Sequence, residues 1–162
     1  MEVTKLLELN HTYAVLEEYA MAVRNAYQDK LILNDRIAKG DLLNSAEYRI
    51  GFDGQTYSVI LQLAEYWKYV EYGTKPHFPP VDKLREWVLV KPVIPRPDKD
   101  GNLPTPSQLA YLIGRKIAEH GTEGSHDLEE TTEELNAIYL AKIREALALD
   151  VAESAEVMFR EF

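Results

Sequence analysis

The sequence predicts an α+β fold: a small antiparallel sheet packed against long N- and C-terminal helices, with a proline-rich projecting arm. Three observations carry this expectation. Apolar residues recur at helical spacing near both ends of the chain, two short alternating runs flank Asp53-Gly54, and five prolines crowd residues 92–106. At 162 residues the chain fits one domain, 1–162, able to bury an ordinary core without staples.

The first helix is expected from about Val3 to Lys39. Val15, Tyr19, Ala22, Val23, Ala26 and Tyr27 recur at three- and four-residue steps, with Asn10 or Thr12 placed to cap and Gly40 to stop. Two β runs follow, Glu47 to Phe52 and Tyr57 to Leu63, joined through Asp53-Gly54, which tolerates the positive φ of a tight hairpin. Alternation puts Tyr48, Ile50 and Phe52 on one face of the first run, and Tyr57, Val59, Leu61 and Leu63 on one face of the second. Ala64 to Tyr72 reads equally as a short helix or a third strand. Helix is expected again over Val81 to Val90, entered through Pro79-Pro80, with Leu84, Trp87 and Val88 as its apolar face.

Lys91 to Pro106 holds Pro92, Pro95, Pro97, Pro104 and Pro106 around a polar Asp98-Lys99-Asp100-Gly101-Asn102 tip. This is a loop or proline-stiffened hairpin arm, since proline removes the donors a ladder needs. A helix from Ser107 to Gly121 and a long final helix from near Asp127 complete the pattern. The tail 150–162 keeps Val151, Ala155, Met158, Phe159 and Phe162 at helical spacing, compatible with continuation or with a separate docking segment.

Composition narrows the function. With no cysteine, disulfides, thiolate catalysis and zinc-finger sites are excluded, and the cytoplasm of a cell is a compatible location. No apolar run reaches the length of a bilayer span and the start Met1-Glu2-Val3-Thr4-Lys5 lacks signal-peptide character, so a soluble, unprocessed protein without membrane contact is expected. A net charge of −9 argues against gripping phosphates and against specific nucleic-acid binding. An acidic surface repels a polyanion instead.

The most distinctive stretch is Tyr66-Trp67-Lys68-Tyr69-Val70-Glu71-Tyr72-Gly73-Thr74-Lys75-Pro76-His77-Phe78-Pro79-Pro80. Tyrosine and tryptophan dominate protein interfaces because they bury much area with few torsions to freeze, which marks part of this cluster as a contact surface. Its plainer reading is the packing of a sheet edge. Glu71, flanked by aromatics, needs a basic side chain or backbone donors if buried, and is otherwise a solvated charge. Gly73 fits a positive φ, Thr74 can bond nearby backbone and Pro76 fixes the exit direction, an architectural set. The pattern echoes in Ile117-Ala118-Glu119-His120-Gly121-Thr122.

These two blocks, the aromatic-Val-Glu-aromatic-Gly-Thr signature with its proline-rich continuation and the later Ile-x-x-x-Gly-Thr, resemble the tail-component or tail-completion family in the neck of tailed bacteriophages. Lys39-Gly40-Asp41-Leu42-Leu43-Asn44-Ser45 corresponds loosely to that family's Thr-Gly-x-Leu-x-x-Ser element, and the resemblance spans roughly residues 36 to 135. It implies a structural virion protein, assembled in the host cytoplasm and located in the neck or tail. Such a protein forms a homo-oligomeric ring between portal or adaptor proteins and tail proteins, and double-stranded DNA passes through it without specific binding. A tail-terminator or head-closure ring is the neighbouring alternative. The expected subunit interface comprises Tyr66, Trp67, Tyr69, Glu71 and Tyr72, the arm residues Arg96, Asp98 and Leu103, and Phe159 and Phe162 of the tail. Gly73, Thr74, Pro76, Gly121 and Thr122 form structural turns.

The competing chemical reading is a metal-dependent hydrolase built on His77, His120 and His126 with Asp127. His120 and His126 lack the i, i+4 step of a helical ligand pair, and His120 fits a helix C-terminus, where its charge is favoured. Asp98, Asp100 and Asn102 mimic a calcium loop, but Leu103 and Leu109 occupy its glycine and glutamate positions. No phosphate loop, nucleophile elbow or carboxylate pair stands out, so no catalytic, metal or cofactor site is expected. An adaptor of unknown partner is the remaining class.

Overall fold

The structure, a computed structural model, describes residues 9–91 and 93–160. In chain order the elements are α1 (Asn10–Leu33), α2 (Asp41–Ser45), β1 (Glu47–Phe52), β2 (Tyr57–Gln62), α3 (Trp67–Tyr72), β3 (Gly73–Thr74), α4 (Val81–Val90), α5 (Pro106–His120), β4 (Thr122–Glu123) and α6 (Asp127–Arg160). The fold is α+β, with long N- and C-terminal helices packed together and two small antiparallel sheets, β1-β2 and β3-β4. The chain divides into two compact units. One comprises the chain up to Asp29, Ala46–Gln62 and the chain from Leu128; the other comprises Lys30–Ser45 and Leu63–Asp127.

In the first unit α1 and α6 run antiparallel. Thr12, Ala20, Val23 and Tyr27 of α1 and Thr131, Tyr139, Ala146 and Asp150 of α6 are buried. Near mid-length, Tyr19 donates its hydroxyl to Asn136 Oδ1 (2.6 Å), and its ring lies 5.4 Å from that of Tyr139. Glu18 accepts from the Tyr139 hydroxyl and the Lys142 ammonium, both at 2.9 Å. At the start of α1, Asp150 acts as a helix cap supplied from α6. Its carboxylate accepts the His11 N–H (2.9 Å), the Thr12 N–H (2.8 Å) and the Thr12 hydroxyl (2.6 Å). Burial alone would raise the Asp150 carboxyl. The three hydrogen bonds and the nearby His11 charge outweigh it and hold the group below its ordinary value.

The hairpin follows the alternation in the sequence. Tyr48 pairs with Leu61, Ile50 with Val59 and Phe52 with Tyr57, so the predicted apolar faces coincide. Tyr57 meets Tyr13 of α1 edge-on at 6.4 Å, and Arg24 of α1 lies 5.4 Å over the Tyr48 ring. Gly54 takes φ +95°, while Asp53 Oδ1 accepts the N–H groups of Gln55 and Thr56, closing a four-residue turn.

The second unit is built on α4 and α5. Gly114 is buried in α5, and a Cβ there would sit 3.2 Å from both Leu84 and Phe78, so the two helices approach at a residue without a side chain. The Lys91 ammonium, largely buried, reaches Asp35 Oδ1 (2.7 Å) and the carbonyls of Asp35 and Ile37. Ser45 donates to the Leu42 carbonyl (3.0 Å) and accepts the Ala64 N–H (2.8 Å), a role for the serine that ends the Lys39–Ser45 element.

Several expected boundaries move. Leu9 is not helical and α1 begins at Asn10; the stretch from Val3 to Glu8 lies outside the described residues. The helix ends at Leu33, six residues before Lys39, because Asp35 adopts φ +52° and Arg36 N–H returns to the Leu31 carbonyl. Gly40 then precedes α2, which the sequence reading did not contain. Ala64 to Tyr72 yields the helix α3, not a third strand. Thr12 does not cap α1 with its own side chain, which donates to Asp150. The tail continues α6 to Arg160 without a break.

Candidate functional site

The two Gly-Thr stops meet. Gly73-Thr74 and Thr122-Glu123 pair antiparallel as β3 and β4, with Gly73 opposite Glu123 and Thr74 opposite Thr122. Each strand leaves the C-terminus of a helix through a glycine of nearly identical conformation, φ 70° and ψ −167° at Gly73, φ 73° and ψ −157° at Gly121. That region of backbone space is open essentially to glycine alone. The crowding is mutual: a Cβ on Gly73 would lie 2.1 Å from the Thr122 carbonyl oxygen, and one on Gly121 would lie 2.0 Å from that of Thr74. Gly124 adds a third close approach, where a Cβ would lie 2.2 Å from the Glu71 carbonyl oxygen. The Thr74 and Thr122 hydroxyls bond each other at 3.0 Å. Beyond the bridge, Ser125 and His126 donate their N–H groups to the Val70 and Glu71 carbonyls (2.9 and 3.1 Å), satisfying the open end of α3.

Around this bridge the predicted aromatic residues separate. Tyr69 and Tyr72 are 65% and 61% exposed, Tyr66 is also exposed, and Trp67 is half-buried 6.0 Å from the Tyr72 ring. Burial is the main cause that raises the Tyr66 phenol, aided by the Asp41 charge and opposed by the Leu42 backbone. Glu71 is 1% exposed, an interior residue unlike the tyrosines beside it. Pro76 is exposed where the chain leaves the bridge. Tyr69, Pro76, Pro79, Ile117 and Thr122 line a shallow groove of about 670 Å³.

Residues 93–105 form the arm without helix or strand. Ile94 is 92% exposed, and Arg96 and Leu103 are exposed as well. Asp98 is turned inward on its own backbone: Oδ1 accepts the N–H groups of Asp100 (2.9 Å) and Asn102 (2.8 Å), and its N–H reaches the Asn102 carbonyl. It shapes the tip. The arm ends in a reciprocal cap, with Thr105 Oγ1 accepting the Gln108 N–H and Gln108 Oε1 accepting the Thr105 N–H, and α5 starts at Pro106, one residue before the expected Ser107. Pro92 and Phe162 lie outside the described residues. Phe159 is 81% exposed near the end of α6.

His77 Nδ1 lies 2.8 Å from the Lys75 carbonyl, His120 is exposed beside Glu119, and His126 meets the Tyr72 ring edge-on at 6.2 Å. Among the described residues these three histidines do not gather within 4.8 Å of one another. No described helix is long and apolar enough to cross a membrane. The bridge itself was legible only as two separate turns. Gly124, in Gly-Thr-Glu-Gly, was missed although its glycine was a usable signal, whereas nothing local in the sequence marks Asp150 as the cap of α1.

Comparison with protein-family models, with curated proteins and with solved structures finds no match to this chain.

Proposed function

We propose that this chain is a structural virion protein of a tailed bacteriophage, forming a homo-oligomeric ring in the neck that completes the tail around the DNA channel. One observation carries the reading. The two blocks on which the resemblance rests meet in a single bridge so tight that three glycines are needed, while the tyrosines beside it and Ile94 of the arm are exposed. The motif is thus an architectural joint that presents contact surface. Ring formation requires that one patch of a copy meet a different patch on the next. The exposed Tyr69 and Tyr72 and the arm supply two such patches, and a net charge of −9 disfavours retention of passing DNA. Portal or adaptor proteins on one side and tail proteins on the other are the partners this role requires. Deleting the gene from the parent virus should leave DNA-filled heads and free tails that do not join; intact infectious particles would refute the role.

A further inference from the structure

The geometry points to a head-to-tail contact in which the arm segment Val93–Pro97 of one copy docks, in polyproline conformation, into the groove beside the Gly-Thr bridge of a second copy. This deepens the ring reading and rests on its premise that the chain self-associates. The arm is set for such docking. Ile94 and Arg96 each precede a proline and are therefore restricted to extended backbone, while Pro95 and Pro97 have fixed φ and no N–H. No carbonyl of Val93–Pro97 accepts a hydrogen bond from the described residues, and the one bonded N–H of the segment, that of Val93, turns back to Lys91. The backbone of the segment is thus richer in free acceptors than in free donors, and it is already stripped of much of the entropy that docking costs.

The groove has the opposite inventory. Its apolar wall is Tyr69, Pro76, Pro79 and Ile117, the kind of aromatic and proline surface on which polyproline segments lie. Its donors are available: the Tyr69 hydroxyl and the Lys75 ammonium have no partner among the described residues. Thr74 and Thr122 share one hydrogen bond between two hydroxyls, which leaves one proton over.

Placement selects a second copy as the occupant. The arm joins α5 at Pro106, and both its halves, Arg96 on the outgoing side and Leu103 and Pro104 on the returning side, line one pocket with Ser107, Tyr111 and Leu112 in the first turns of that helix. The groove is at Ile117, eleven residues on, or roughly 16 Å along the axis at 1.5 Å per residue. One chain therefore carries the inserting segment and its receptor at opposite ends of α5, the arrangement that yields a heterologous contact and, where the rotation closes, a ring.

The absence of cysteine makes the test direct. Ile94→Cys protein is mixed with size-tagged Lys75→Cys protein and oxidised, and the assembled mass of each is measured in parallel. The inference expects the mixed disulfide dimer to exceed both self-linked dimers, and Tyr69→Ala to weaken self-association at least about tenfold with an unchanged melting temperature. Assembly without preferential mixed linkage overturns the docking while sparing the ring. An intramolecular disulfide in the Ile94→Cys/Lys75→Cys double variant also overturns it. Failure of the unmodified chain to assemble removes the ring reading, and this inference with it.

Discussion

Replacing Gly73 with alanine is the sharpest perturbation of the joint between the two Gly-Thr blocks. The new Cβ would stand 2.1 Å from the Thr122 oxygen, 2.7 Å from the Gly124 nitrogen and 2.9 Å from the Glu123 carbonyl carbon, all backbone atoms that no side-chain rotation can clear. Holding alanine at φ +70°, ψ −167° costs about 1–3 kcal/mol of backbone strain. Parting β3 from β4 forfeits bridge hydrogen bonds at about 0.5–1.5 kcal/mol each. The expected loss is therefore about 2–5 kcal/mol, or roughly 4–20 °C in melting temperature for a chain of this size. Urea unfolding followed by tryptophan and tyrosine fluorescence measures it. Two controls divide the effect. Gly54→Ala, at φ +95° with nothing within 4 Å of the new Cβ, carries strain without a clash. Gly124→Ala meets the Glu71 oxygen at 2.2 Å and carries the clash. A Gly73→Ala midpoint equal to that of Gly54→Ala would refute the argument, because the close approach would then contribute nothing.

Asp150→Ala should destabilise the chain by about 1–3 kcal/mol in urea unfolding, since it strands two backbone donors and a hydroxyl at the start of α1. The carboxyls of Asp150 and Glu18 are both lowered in the fold, the latter chiefly by its hydrogen bond from Lys142, so the unfolded chain binds protons more readily. Their contribution is present above the ordinary carboxylate range, near pH 4, and is lost as pH falls through the depressed folded values; Asp150→Asn should flatten the acid limb of the stability profile. His11, raised by its hydrogen bond to Glu153, contributes in the opposite sense: its stabilisation is present below about pH 6.5 and fades as pH rises through the folded value, a dependence that Glu153→Gln should remove. Micromolar protein should show no salt-sensitive binding of duplex DNA in a filter or anisotropy assay, and measurable binding would count against a conduit. Elemental analysis should find no stoichiometric metal; zinc lost on His120→Ala would reinstate the hydrolase reading.

Local pattern made the hairpin legible. Alternation, Asp53-Gly54 and the two runs specify both strands and the faces that coincide across them, because a half-buried strand writes its environment every second residue. The α4 bounds, Val81 to Val90, were equally local, with Pro79-Pro80 setting the entry and Lys91 turning extended after it. The early end of α1 was hidden because Asn34 and Asp35 suit both a polar helix face and a left-handed turn. For the site, the sequence marked Gly73 and Gly121 as special turns but could not show that each is the reason for the other, since their strands are separated by 48 residues. Glu71 was the hardest to place. A single acid among aromatics reads equally as a buried, partnered group or as a solvated charge, and only a three-dimensional neighbourhood decides for burial.

Self-assembly into a closed ring is tested most directly by the assembled mass of the purified chain. Native mass spectrometry with negative-stain imaging should give one species at an integral multiple of the 18.6 kDa subunit, with a central opening. Replacing Arg96 to Leu103 with a short Gly-Ser linker should reduce it to a folded monomer of near-native melting temperature. A wild-type chain that remains a monomer at every concentration up to its solubility limit would contradict the account.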